Sequence, residues 1–366
     1  MFFQKKVFYG FFALTSVFLF SACAQTAAVP SQNLPQNSSA ILDQQQLLAG
    51  PVKKCSDMKE EGEKYTCFDA FLKDTVAQHS PEVAFQYLKA MYYTVPVVKN
   101  YCHPYTHTIG HAAVQKYQTL AEAYKHGDNF CWSGYYHGVM EQISKNIGSE
   151  NLPKQMDQIC KDVPGKEKYS FDYYNCVHGM GHGVMAITTN ELFQSLKLCD
   201  HLTGRWEQES CYGGVFMENV IVDNLNHFTK YLKPKEPLYP CNAVETPYKQ
   251  QCYLMQTSYM LKVTRYDFTK VFKLCEQADK DFVTTCYESL GRDASGSTVS
   301  NGVNARDLCL LGKDFTQQSH CVIGAVKDFV SYFHSDVQAK AFCNGFSDKK
   351  LVDVCLNTEV EYYKTF

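Results

Sequence analysis

Sixteen of the seventeen cysteines lie beyond residue 50 and recur at near-regular intervals, a spacing that restricts the possible folds more than anything else in this 366-residue chain. Neighbouring cysteines group as Cys55–Cys67, Cys160–Cys176, Cys199–Cys211, Cys241–Cys252, Cys275–Cys286, Cys309–Cys321 and Cys343–Cys355. Cys102 and Cys131 are left to pair with each other. An even number of cysteines with no CxxC motif points to eight disulfides in an oxidising compartment rather than to a metal-thiolate site. The last four second-cysteine positions are 252, 286, 321 and 355, with gaps of 34, 35 and 34 residues. Gaps of that size suit a helix-turn-helix unit.

Each unit reads as an apolar residue before a cysteine, a polar connection, then a second cysteine followed by an amphipathic run. Leu274-Cys275 with Cys286-Tyr287 and Phe342-Cys343 with Cys355-Leu356 show the pattern. The runs 268–274 and 322–333 have helical rather than alternating periodicity, and prolines gather in the connections, as at Pro234, Pro237 and Pro240. Tyr105 fits the position of a second cysteine in a unit without its own pair, which makes nine units. The expected fold is all-α: disulfide-stapled helical hairpins stacked into an α-solenoid or an α/α toroid over residues 51–366, with each second helix beginning near its second cysteine. A bridge that closes one such hairpin contributes about 2–4 kcal/mol.

Residues 1–22 read as a secretory signal, with Lys5 and Lys6 ahead of an apolar run. Phe20-Ser21-Ala22-Cys23 resembles a bacterial lipobox, which would place a lipid anchor on Cys23 and bring the chain to a membrane surface. Ala22-Cys23-Ala24 also fits ordinary cleavage before Gln25. The polar stretch over 23–50 suits a flexible tether and favours the lipobox. The expected location is therefore the bacterial cell envelope, as an exported lipoprotein. A net charge of −3 with no basic run leaves no footprint for nucleic acid.

The chemistry concentrates in 102–220. His107 and His111 stand at i and i+4, as do His178 and His182, while His137 precedes Glu141 by the same interval. On a helix such pairs share one face. Counted from the second cysteine of each unit, or its equivalent, position +2 is His107, Ser133, His178 and Gly213, and position +6 is His111, His137, His182 and Met217. Equivalent positions on stacked helices line one surface, so His107, His111, His137, His178 and His182 are expected to converge, with Glu141 and Glu218 at the edge as candidate general bases. Imidazole with carboxylate suits a divalent transition metal, Zn²⁺, Fe²⁺ or Mn²⁺, in a hydrolase or oxidoreductase centre. HExxH is absent, so a zincin-type protease is not indicated. His103, before Pro104, reads equally as a helix cap. Glycines at +3 and +7, such as Gly138, Gly179, Gly183 and Gly214, read as close helix contacts or as room beside the histidines.

Units over 241–366 carry no histidine at +2 or +6 and read as scaffold. The competing reading of the whole chain is an interaction scaffold that binds a protein, peptide or glycan on its concave face, with structural histidines. Cys176-Val177-His178-Gly179 loosely resembles the Cys-His-Gly motif of the zinc-bearing lanthionine cyclases, which have an α/α toroid. Disulfide-closed hairpins are likewise similar to the Sel1-like cysteine-rich proteins of bacteria. Both likenesses concern architecture, and no site residue is carried over from either.

Overall fold

The computed structural model describes residues 50–221 and 229–364. The expected signal, lipobox at Cys23 and tether as far as residue 49 lie outside these residues, and so does His227. All regular secondary structure among the described residues is helical. The long helices are α1 (Glu61–Gln78), α2 (Cys102–Tyr117), α3 (Gly134–Ile147), α4 (Phe171–Ile187), α5 (Arg205–Val220), α6 (Thr246–Thr264), α7 (Val283–Asn301), α8 (Phe315–Phe333) and α9 (Lys349–Tyr363). Short helices run up to the first cysteine of a pair, as in Leu192–Cys199, Phe268–Cys275, Ala305–Cys309 and Val337–Cys343. Local chemistry sets several starts: Ser170, Asp314 and Asp348 each accept a backbone N–H of the helix they precede. Before α6, Pro237 and Pro240 leave turns in place of a short helix, and Gln256 donates to the carbonyls of Pro237 and Tyr239 at 2.8 and 2.9 Å.

All eight disulfides form in the expected pairing, with Cα atoms 5.4 to 5.9 Å apart. Most second cysteines sit inside the long helix, one to two turns from its start, rather than opening it. Cys131 differs: it precedes α3 in a turn where Cys131, Trp132 and Ser133 all have positive φ, at 56°, 57° and 57°. Left-handed backbone costs roughly 1–2 kcal/mol per residue outside glycine, so this turn persists only because the Cys102–Cys131 bridge and its neighbours hold it.

Each long helix packs against the next along the chain. At three of these contacts glycine faces backbone from both sides. A methyl group on Gly110 would collide with the Tyr135 carbonyl, and one on Gly138 with that of His107. Gly181 and Gly214 do the same between α4 and α5, and Gly291 and Gly324 between α7 and α8. Glycine in a helix costs about 1 kcal/mol against alanine, and here the return is close helix approach. Contacts also link distant parts of the chain. Trp132 packs on Tyr332 with ring centroids 5.5 Å apart, Asn129 donates to the Tyr332 carbonyl at 3.2 Å, and Phe171 meets His334 at 4.0 Å.

Candidate metal centre

Helices α2, α3 and α4 pack side by side, with α3 in the middle, and their histidines meet along that seam. His137 and His182 stack with centroids 3.9 Å apart and planes 12° from parallel. His107 lies 5.5 Å from His137 and 5.8 Å from His182, while His178 lies 5.4 and 5.3 Å from the same two rings. These four histidines are buried, from 0% exposed at His182 to 6% at His107. Three groups place one ligand atom per residue within 4.8 Å of one another: His103–His107–His137, His137–His178–His182 and His107–Glu141–His182. Such groups can hold a metal ion.

What the outer atoms of each ring touch determines what the inner atoms can offer. His103 Nδ1 lies 2.7 Å from the Cys131 carbonyl, which only accepts, so that nitrogen carries the proton and Nε2 has the lone pair. His107 Nδ1 donates to Glu141 Oε1 at 2.7 Å, and His182 Nδ1 to Glu218 Oε2 at 2.6 Å. His178 Nδ1 meets the Tyr174 hydroxyl at 3.1 Å. His103 and His107 direct Nε2 at each other across 3.0 Å. His182 Nε2 and His137 Nδ1 are buried without a hydrogen-bond partner. A carboxylate or carbonyl behind an imidazole fixes its tautomer and orientation, the arrangement found behind metal-bound histidines.

Electrostatics keep three of the rings unprotonated and the Glu141 carboxylate charged. Burial, reinforced by His107, brings His103 down to about 3 against the opposing pull of the Cys131 carbonyl. Burial and then the surrounding imidazoles hold His137 and His178 well below the ordinary histidine range. All three are therefore neutral near pH 7. Burial opposes ionisation of Glu141, but His107 and His111 outweigh it and hold the carboxyl well below its usual range.

The structure thus brings together His107, His137, His178 and His182 of the five expected histidines. His111 stands at the rim, its side chain 29% exposed, and donates to Glu141 Oε2 at 2.7 Å. Glu141 and Glu218 are both buried and both bonded to imidazole. The cap reading of His103 left out its place beside His107 and His137. The signal was available in the sequence, since His103, His107 and His111 follow one another at intervals of four along one helical face. Tyr174, one turn before His178, carried no such signal among the chain's 25 tyrosines. His126 and His320 lie apart from the cluster, paired with Glu82 and Glu288. Close helix contact accounts for the mid-helix glycines: Gly138 meets the His107 backbone and Gly214 that of His178, while Gly179 and Gly183 meet the side chains of Met140 and Ser144.

Compared with known proteins, the chain matches no family model, no curated protein and no solved structure.

Proposed function

We propose that this chain is an exported, lipid-anchored protein of the cell envelope whose histidine cluster binds a divalent transition metal. The observation that carries the reading is the pairing of His103 and His107. Their outer nitrogens face oxygen acceptors and their Nε2 atoms approach to 3.0 Å, where two neutral imidazoles would set one lone pair against the other. Such an approach is repulsive unless a proton or a cation lies between them. The partnerless Nε2 of His182 and Nδ1 of His137 add two further donors in the same interior. Imidazole and carboxylate favour Zn²⁺, Fe²⁺ or Mn²⁺ over Ca²⁺, and with all described cysteines oxidised no thiolate draws copper(I).

In this reading Glu141 and Glu218 orient His107 and His182 rather than serving as general bases, and Glu141 can also offer an oxygen to an ion shared with His182. The bound metal supplies Lewis acidity or redox capacity; the chain's own groups fix the ligand directions and exclude water. The hairpins carry this centre as a helical repeat. The contacts of Trp132 with Tyr332 and of Phe171 with His334 favour a ring over an open solenoid. Oxidised cysteines agree with export.

Elemental analysis of the protein purified from its native compartment tests the centre. His182→Ala should bind less metal with all disulfides intact, and His320→Ala should lose none. Full metal content in the His182→Ala variant would overturn the reading and return the chain to the interaction-scaffold class. Fatty-acid labelling tests the anchor: Cys23→Ser should lose both label and membrane attachment, whereas an unlabelled mature chain beginning at Gln25 would rule it out.

A further inference from the structure

We infer that the cluster is built for two metal ions rather than one, the first held by His103 and His107 and the second by His178 and His182, with His137 between them and within ligand reach of both. This rests on the metal-binding reading above and specifies it.

The distances separate the donors. A metal 2.0–2.2 Å from each nitrogen keeps its ligands within about 4.4 Å of one another. His103, His107 and His137 meet that condition to within a few tenths of an ångström, and so do His137, His178 and His182. No group contains both His103 and His178, and His137 alone belongs to both all-histidine groups. The helices repeat the division. Helix α2 contributes one i/i+4 pair, with centroids 4.7 Å apart, and α4 contributes another at 5.3 Å. Helix α3, packed between them, contributes a single histidine, because the position four residues before His137 is Ser133.

Each half also has its own carboxylate. Glu141 stands behind His107 and Glu218 behind His182, and each is 7% exposed. Two divalent cations in a buried site need nearby negative charge, since isolated charges are costly to bury. Two glutamates, one per half, provide it without crowding either ion. Glu141 also forms a group with His107 of the first half and His182 of the second, so one of its oxygens is within ligand reach of a histidine from each half. A mononuclear centre has no use for five imidazoles, four of them buried, and two buried carboxylates divided in this way.

The test counts ions on the full-length protein, stripped with a chelator and reloaded with Mn²⁺. The expected stoichiometry is two per chain, falling to one in the His103→Ala/His107→Ala variant and to one in the His178→Ala/His182→Ala variant. The electron paramagnetic resonance spectrum of the loaded native protein should show exchange-coupled Mn²⁺, and each double variant should show isolated Mn²⁺. One ion per native chain, with an uncoupled spectrum, would overturn the two-ion arrangement and leave metal binding standing. No bound ion would overturn both. If either double variant fails to fold, judged by near-ultraviolet circular dichroism, the coupling in the native protein decides alone.

Discussion

The α2–α3–α4 seam and the α6–α7–α8 seam are assembled alike, yet they treat their polar residues in opposite ways. Both have a reciprocal glycine contact, Gly110 with Gly138 in the first and Gly291 with Gly324 in the second. In the second seam, Glu288 accepts from His320 at 3.1 Å and from Lys327 at 2.9 Å. Arg292 donates to Ser258 at 2.6 Å and to Asp293 at 2.9 Å, and Asp293 also accepts from Thr257 and Ser258. Donors there meet acceptors and positive charges meet negative ones. In the first seam the outer nitrogens are bonded to oxygen, while the inner nitrogens of His103 and His107 face each other and those of His137 and His182 have no partner, a surplus of ring lone pairs. A self-satisfied network requires nothing further to be stable. A convergence of lone pairs does, and this is why the metal reading belongs to one seam only.

Four experiments would break or sharpen that contrast. Replacing both Cys102 and Cys131 by serine should cost about 2–4 kcal/mol of stability and should also weaken metal binding, because the left-handed turn that presents the Cys131 carbonyl to His103 is released. Removing the Cys309–Cys321 bridge should cost a similar amount and leave metal content unchanged. Urea denaturation with metal analysis checks both, and equal metal loss in the two variants would erase the distinction between the seams.

Gly138→Ala and Gly324→Ala should each cost about 1–3 kcal/mol by overpacking a helix contact. Only Gly138→Ala, whose added methyl group presses on the His107 carbonyl, should shift metal affinity. Isothermal titration with Zn²⁺ separates them.

Glu218→Gln keeps the side chain's shape but removes the charge behind His182, and metal affinity should fall by roughly 10–100-fold. Glu288→Gln, the corresponding change in the other seam, should leave affinity unchanged. An unaltered dissociation constant for Glu218→Gln would show that the negative charge behind His182 adds nothing to metal affinity.

The smallest effect concerns Asp328. Burial, against the opposing pull of Ser295 and Arg292, raises this carboxyl to about 6 from an ordinary value of 3.8. The folded chain therefore keeps its proton where the unfolded chain has lost it. The stability from this group is fully present below pH 3.8 and is lost as the pH rises towards 6. Asp328→Asn removes that slope, so the variant should gain on the native protein between about pH 4 and 6 and hold a constant advantage above. Parallel stability curves across that range would show that Asp328 titrates normally. Metal content should be unaffected at any pH in this comparison.

The legibility of the two seams differed for a physical reason. Cysteine spacing is a one-dimensional signal: a bridge 11 or 12 residues long can only close a local hairpin, so pairing and helical class followed from counting. The i/i+4 histidine pairs were legible in the same way, because helical periodicity puts both rings on one face before any packing is known. What counting could not supply was the relative height of neighbouring helices. It aligned Cys131 with cysteines that lie inside helices, whereas Cys131 sits in a left-handed turn ahead of α3. Gly138, seven residues past its cysteine, consequently faces His107, which stands only two past Tyr105. The convergence therefore takes in His103 and leaves His111 at the rim.

Chain order alone determined the stapling, the all-helical build and the presence of a histidine-rich face in 102–220. Tertiary packing decided which of those histidines meet, which ring nitrogen of each is tied to oxygen, and that Glu141 and Glu218 stand behind imidazoles. Those outcomes depend on ångström-scale offsets between helices, set by glycine contacts and one left-handed turn. Residue spacing within a helix carries no information about such offsets, because they arise only where two helices touch.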